Sequence, residues 1–366
     1  MLYSSLAAPG RRLRPSDRDA SRVSWPALAS RMYARSGALL LESSPERLKR
    51  RLERSSWGGE TGVHSNVTAN QSIHEKYGGV VPELASRAHQ ENIVPVVTTA
   101  LNEAKVNVKD LTSIAFTRGP GLLGSLLVGT SFAKSLSLSL SIPLIEVHHM
   151  KAHIHAHFIK EKKEDNPTPN FPFICLTVSG GHTQIVWVEE PLKMKIIGTT
   201  IDDAVGEAFD KAGKIMDLGY PAGPIIDQLS KDGDSKKFDF TYPNAGEFNY
   251  SFSGLKTQFL NFIRKNEQSN KHFCKENLND ICASYQSHLV SYLLKNLEKS
   301  IKNYPCKDLA LAGGVSANSH LRKEFEKLGK SLGCKTFVPK ISYCTDNAAM
   351  IAMSGKFMEE KCWSKL

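Results

Sequence analysis

Long apolar runs are missing from this chain. No stretch of about 18 consecutive apolar residues occurs in its 366 residues, which argues against a membrane span and sets the expectation of no membrane partner. Seven cysteines, at positions 175, 274, 282, 306, 334, 344 and 362, form no C-x-x-C pair and no secreted-style framework, so a reducing compartment is expected. No apolar h-region is present near the start, so export is not expected. Walker A spacing, a G-x-S-x-G elbow, a Ser/His/Asp arrangement and any repeat at a fixed period are absent as well.

What is present is an ordinary globular composition, 41% hydrophobic and 23% charged, at a length that suits two lobes rather than one. The net charge of +10 and pI near 9.1 favour a polyanionic partner through counterion release, or else describe a lysine-rich solvated surface. Arginine and lysine divide sharply along the chain. The first 60 residues hold 11 of 15 arginines and one lysine, Lys49, and the rest hold 4 arginines and 31 lysines. With only Asp17 and Asp19 acidic, residues 1–37 read as an organelle transit peptide and a mitochondrial address, with the cytoplasm as the other option. A basic tail or a joined segment of different origin would look the same.

From about Ser65 the texture is regular. Residues 84–104 read as an amphipathic helix, 111–121 as a strand entering a glycine turn, and the following G-S-L-L-V-G-T-S-F-A-K-S-L-S-L-S-L as a buried helix. A short strand is expected over Ile142–Val147, then a histidine-rich helix. Phe173–Ser179 and Thr183–Val188 read as a hairpin, 308–316 as strand and turn, S-H-L-R-K-E-F-E-K-L-G-K-S-L as helix, K-T-F-V-P as strand, and a last helix begins near Asn347. Strands alternating with helices predict an α/β fold.

Within that pattern H-M-K-A-H places His149 and His153 one helical turn apart, where two imidazoles reach a single ion of the zinc or iron type. His148, His155 and His157 crowd the same stretch, so a histidine-rich surface helix is the competing reading. Asp346, in C-T-D-N at the entrance to the last helix, is the candidate third ligand or simply an N-cap. Two His and one Asp leave coordination positions open, as catalysis or substrate binding requires. Glycine turns at Gly119-Pro120-Gly121, Ser179-Gly180-Gly181 and Gly313-Gly314 follow strand-like runs, and with G-Y-P-A-G-P at 219–224 they suggest a phosphate or nucleotide cleft. Carboxylates gather over 201–214 and at Asp227. They suit ribose hydroxyls or solvent, and Asp210 with Lys214 has the spacing of an ion pair.

These segments together resemble the TsaD family, the bacterial and organellar transfer RNA threonylcarbamoyl transferases. The matching stretches, colinear over residues 65 to about 355, include S-N-V-T-A-N-Q-S-I-H-E-K-Y-G-G-V-V-P-E-L-A-S-R-A-H, G-P-G-L-L-G-S-L-L-V-G, H-H-M-K-A-H, V-S-G-G-H-T, D-D-A-V-G-E-A-F-D-K, G-Y-P-A-G-P, F-S-G-L-K-T, A-G-G-V-S-A-N and C-T-D-N. The resemblance implies an actin-like ATPase (ASKHA) fold with two lobes around a nucleotide and metal cleft. It implies one divalent metal, Fe2+ before Zn2+, on His149, His153 and Asp346. Thr177, Val178, Ser179, Gly180 and Gly181 would cradle the phosphate and acyl region, and Asp210, Gly223, Asp227 and Asn318 would contact the adenosine part. Its implied partners are tRNA and threonylcarbamoyl-AMP, with a homodimer or accessory subunits of the bacterial type. The implied reaction is threonylcarbamoyl transfer to the exocyclic amine of the adenosine beside the anticodon.

The match also sets domain expectations: residues 1–64 as an unmatched leader, 65–170 as the N-terminal lobe, 171–345 as the C-terminal lobe, and 346–366 as a final helix headed by the metal-binding Asp. The family opens with a strand carrying I-E-[ST]-S-C-D-D-T. Here A-L-L-L-E-S-S at 38–44 is only faintly similar, and P-E-R-L-K-R-R-L-E-R follows it. A missing first hairpin and an open sheet edge are therefore expected. Two alternatives compete: a metallopeptidase, against which position 150 is Met where H-E-x-x-H needs Glu, and a nucleotide-binding subunit impaired by loss of the N-terminal phosphate motif.

Overall fold

The computed structural model describes residues 62–69, 79–161 and 166–363, with side chains as far as 360. The leader and residues 38–44 lie outside this set, and so do the expectations placed on them.

The N-terminal part begins with α1 (Pro82–Ala104), whose first turn holds Pro82 where no backbone donor is needed. Strand β1 (Ile114–Gly119), helix α2 (Leu123–Leu140) and strand β2 (Leu144–His148) form a βαβ unit. The two strands pair in parallel, with Ile114 opposite Leu144 and Thr117 opposite Val147. Side chains alternate across this sheet. Ile114 and Phe116 pack toward Ala133 of α2 on one face, and Ala115 and Val147 pack on the other. Among the described residues no further strand joins this pair.

Helix α2 departs from expectation. It was read as buried, yet only Ser125 and Ala133 are enclosed, and Leu123, Leu127 and Leu138 stand 73%, 56% and 80% exposed. Its apolar content reflects two faces, one on β1 and α1 and one outward. Among the described residues it alone is long and apolar enough to cross a membrane, by length and composition only.

The second sheet has the order β5-β4-β3-β6-β7, built from β3 (Phe173–Val178), β4 (Thr183–Glu190), β5 (Lys193–Thr199), β6 (Asp308–Ala312) and β7 (Lys335–Phe337). The first three form an antiparallel meander, and β6 and β7 extend it in parallel. The hairpin read at 173–188 is present in register, with Val178 opposite Thr183. Both faces are covered, so β3 and β6 carry almost unbroken apolar runs. Ile174, Leu176 and Val178 point to a large core shared with α4 (Val205–Ile215), α5 (Ala222–Leu229), α6 (Ser253–Ser269), α7 (Leu278–Asn303) and α8 (Ser319–Ser331).

The opposite face of that sheet, through Phe173, Cys175 and Val186, meets Ile154 and Phe158 after β2 and Phe357 of the last helix. Those residues belong to α3 (His149–His155) with its 3-10 extension, and to the final helix. That helix, α10 (Ala348–Trp363), follows the short α9 (Ile341–Cys344). The same two helices pack their other side on β1 and β2 through Ala152, Met350 and Ile351. At Gly355 a Cβ would come within 2.7 Å of Ala115 Cβ, so the absent side chain lets α10 lie close on β1. The α3–α10 layer is thus a wedge between the two sheets, and the mixed α/β architecture expected from the sequence is observed.

Candidate metal centre and nucleotide turns

The histidines of α3 are not a solvated face. His149, His153, His155 and His157 are 3%, 1%, 1% and 8% exposed, because the wedge is covered on both sides. Two of them are consumed by structure. His155 donates from Nε2 to Pro191 O at 2.6 Å and meets Ser354 Oγ through Nδ1 at 2.9 Å. His157 donates from Nε2 to Leu311 O at 3.1 Å. Burial lowers the pKa of each to about 4, against the partial opposition of those carbonyls, so both imidazoles are neutral near pH 7.

The other pair converges on one carboxylate. His149 Nε2 lies 3.2 Å and His153 Nε2 3.1 Å from Asp346 Oδ1, with the rings edge to face. Burial alone would raise the Asp346 carboxyl, but the neighbouring His149 charge and hydrogen bonds from both imidazoles hold it well below the ordinary carboxylate range. The competing N-cap reading of Asp346 does not hold, since Asn347 Oδ1 accepts from Met350 N at 2.9 Å and Asn66 Oδ1 from Ala349 N at 3.3 Å. With the helix start capped by asparagines, Asp346 is left to face the histidines.

Two imidazole nitrogens and one carboxylate oxygen, with no pair of donor atoms more than 4.8 Å apart, match the ligand chemistry of a divalent ion. At metal–ligand bonds of about 2.1 Å, neighbouring ligands sit about 3.0–3.4 Å apart, which the two histidine–carboxylate separations already satisfy. Met150 is buried at 5% exposure and supplies no general base between the two histidines, where the peptidase reading needs a glutamate.

The glycine turns sit at the ends of the second sheet. Val178 is core, Thr177 is wholly buried and Ser179 is 6% exposed, leaving Gly180 and Gly181 as the accessible part of the expected cradle. Ser179 Oγ accepts from His182 N at 3.0 Å, and Ser179 O accepts from Gly206 N at 3.3 Å, which sets this turn on the start of α4. A Cβ at Gly206 would be 2.7 Å from Gly180 Cα, so only glycine permits that approach. Gly313 has φ of +88° and would drive a Cβ to 2.3 Å from Val178 O. It holds the β6 turn against the end of β3 in a conformation that other residues adopt at a cost.

The four residues expected around adenosine gather at two helix starts. Asp210 Oδ1 accepts from Ala222 N at 2.8 Å, its carboxyl also receives Gly223 N–H, and burial raises its pKa to about 6. The expected pair with Lys214 is not formed, and Lys211 instead bonds Asp203 and Glu207. Asp227 accepts from Ser319 N at 3.1 Å and Ser319 Oγ at 2.9 Å. Asn318 caps α8 through Leu321 N at 2.9 Å and donates to Gln286 Oε1 at 2.6 Å. Ala222 of the G-Y-P-A-G-P turn is the first residue of α5 and needs no positive φ.

Sequence reasoning counted Asp202 only among the carboxylates of 201–214 and missed its role: the carboxylate accepts from Ser251 Oγ and from the Phe252 and Ser253 amides, anchoring the F-S-G-L-K-T segment at the start of α6. Burial would raise this carboxyl, and those three donors lower it. The adjacent D-D and F-S-G motifs were the available signal.

Residues 62–353 match the family described as TsaD: tRNA N6-adenosine threonylcarbamoyltransferase. Proteins of that name from Christiangramia forsetii and Porphyromonas gingivalis are 56% and 53% identical over 293 residues, covering 80% of this chain and 86% of each relative. One from Thermosipho africanus is 46% identical over 304 residues, covering 82% and 88%. Among solved structures, full-length HypF in its phosphate- and nucleotide-bound form superposes with a TM-score of 0.51 at 14% identity, over 74% of this chain and 41% of HypF. HypF from T. kodakarensis gives 0.51 at 12% over 75% and 44%, so this chain spans less than half of either HypF, and these likenesses concern the fold alone, an actin-like ATPase fold. By the extent of the family match and the identity to its curated members, the chain belongs to the TsaD family.

Proposed function

We propose that this chain is a tRNA N6-adenosine threonylcarbamoyltransferase, moving the threonylcarbamoyl group from threonylcarbamoyl-adenylate to the exocyclic amine of the adenosine beside the anticodon. The observation that carries this reading is the convergence of His149 and His153 on Asp346, 193 residues away in sequence from His153. The amine nitrogen attacks the carbamoyl carbon, the bond to the phosphate oxygen breaks, AMP departs with the electron pair, and the amine proton leaves to phosphate or water. A mixed anhydride needs alignment and charge stabilisation more than a nucleophile. The buried thiols offer none, since desolvation raises Cys175 and Cys282 to about 12.

His149, His153 and Asp346 would hold the ion, Fe2+ before Zn2+, because two histidines and one carboxylate with open positions favour ferrous iron. When bound, that ion supplies Lewis-acid polarisation and a grip on the threonine end of the donor. Thr177 to Gly181 are assigned to the adenylate phosphate and acyl region, a reading that the accessible Gly180–Gly181 end of the turn supports. Asp210, Gly223, Asp227 and Asn318 are assigned to the adenosine end.

The outward leucines of α2 support a protein partner, for which a second copy of this chain is the assignment. Light scattering on the purified protein tests it: a dimer that Leu127→Lys dissociates supports it, and a monomer in both forms refutes it. The arginine-rich opening supports mitochondrial targeting, which a fusion of residues 1–64 to a fluorescent reporter tests. The reaction itself is tested with purified protein, tRNA and threonylcarbamoyl-adenylate, followed by nucleoside analysis. Modified adenosine should appear with the wild type and vanish with His149→Ala; equal yields from both would remove the ion from the mechanism.

A further inference from the structure

The loop that delivers Asp346 is held by a residue that no motif singled out. Residues 338–347 leave β7, form the single turn α9, and then enter α10. Arg322, on α8, reaches across to this loop. Its Nη2 donates to Pro339 O at 2.9 Å and to Cys344 Sγ at 3.0 Å, and its Nε donates to Ser316 O at 2.7 Å in the turn that follows Gly313. Among the described residues no carboxylate pairs with this guanidinium. Its donors go instead to neutral acceptors on two segments, one carrying the β6 glycine turn and one leading to Asp346. Such fork-like use of a planar group fixes the spacing between the segments, which an ammonium on a flexible stem does less well.

We propose that Arg322 is a positioning residue for the metal centre, fixing Asp346 relative to the glycine turn by clamping Ser316 O to Pro339 O and Cys344 Sγ. This rests on the reading of His149, His153 and Asp346 as ligands. Cys344 is two residues before Asp346, so displacement of the clamped turn passes almost undiminished to the carboxylate. Ligand distances tolerate only about 0.2 Å. A further brace on this loop is weaker. Glu161 accepts from Lys340 Nζ at 2.8 Å and Tyr343 OH at 2.9 Å, but its pair with Lys340 is about one third exposed on both sides and is screened by solvent.

The test uses the full chain and reads Zn2+ affinity by competition with a chromophoric chelator, alongside thermal melting. Arg322→Met should weaken Zn2+ binding by about 10- to 100-fold, the range for loss of a group that orients a ligand. Arg322→Lys should recover part of that loss, because one ammonium reaches some of the acceptors. Phe325→Leu, a core change on the same helix, should lower the melting temperature and leave Zn2+ affinity within about threefold of wild type. The proposal is overturned if Arg322→Met binds Zn2+ as wild type does, or if Phe325→Leu weakens binding as much as Arg322→Met. A wild type that binds Zn2+ tightly yet makes no modified adenosine would sink the reaction proposed above and leave the clamp standing. A wild type that binds no ion would sink both.

Discussion

His157 should make the protein acid-sensitive in a way that one substitution removes. The imidazole is buried under α3, with Nε2–H spent on Leu311 O at 3.1 Å, and burial takes its pKa from 6.5 to about 4. The unfolded chain therefore binds a proton that the folded chain refuses. Its stabilising share is fully present above pH 6.5 and is lost as pH falls toward 4. A shift of that size corresponds to about 3 kcal/mol, approached at a slope of at most about 1.4 kcal/mol per pH unit. His155 contributes with the same sign, from 6.5 to about 4, so the wild type should lose stability steeply across this window. His157→Asn keeps a donor for Leu311 O without a titrating ring. It should be less stable than wild type at pH 8, because a smaller side chain leaves space. Urea unfolding at intervals from pH 8 to pH 5 should then show the two proteins converging as pH falls. Parallel curves would refute the assignment of a neutral, desolvated imidazole, as would a folded-state His157 signal titrating near 6.5 by NMR.

Other perturbations follow from the same geometry. Asp210→Asn should raise the melting temperature at pH 8, since burial puts the folded carboxyl near 6 and its charged form costs roughly 3 kcal/mol above that pH. The wild type should correspondingly lose stability as pH rises from about 4 to 6 through this group. Gly313→Ala should cost more than about 2 kcal/mol by chemical denaturation, from strain at positive φ together with a clash on the β3 carbonyl; a neutral result would mean the turn is free to relax. Zn2+ at 100 times its Kd should stabilise the wild type by about 2.7 kcal/mol and leave the melting curve of His149→Ala unchanged.

The alternation of strands and helices was legible because β3 and β6 are buried on both faces and read as apolar runs bounded by glycine. Strand β5 was not, since it is an edge strand whose Ile196 is 52% exposed and whose lysines break the pattern. Helix α7 was passed over for the opposite reason. Its buried face carries Gln286, His288 and Asn296, and Gln286 and Asn296 are satisfied by Asn318 and the Asn249 carbonyl, so apolar periodicity understates its burial. At the metal centre the i,i+4 histidines were visible in sequence, and the wedge that buries them was not. The Asp210–Lys214 pair that local spacing offered does not form, because the fold brings Asp210 the first amides of the next helix, 12 residues on. The apolar content of α2 was taken for burial within the chain, whereas Leu123, Leu127 and Leu138 face outward.

The placement of the three donors follows from the wedge. His149 and His153 lie on a helix whose two faces are fixed by apolar packing against both sheets, through Ala152 on one side and Ile154 on the other. The direction of α10 is fixed by the same two cores, through Met350 and Phe357. The histidine pair therefore has little freedom that does not cost buried apolar area. Asp346 differs, because it stands before the first turn of α10, on a loop tied into the core through Tyr343 and braced by polar contacts. Its position rests on polar contacts: Asn347 and Asn66 on the amides just after it, and Arg322 on the turn just before. The glycine turns belong to the second sheet, and Gly313 is tied to Val178 of β3 by direct backbone approach. Alignment of an ion on the wedge with a phosphate on that sheet thus depends on the loop from β7 to α10. For a reaction that needs alignment and little else, a misplacement of about 1 Å is worth about 100-fold in rate, so the loop that holds Asp346 bears on turnover as strongly as the donors themselves.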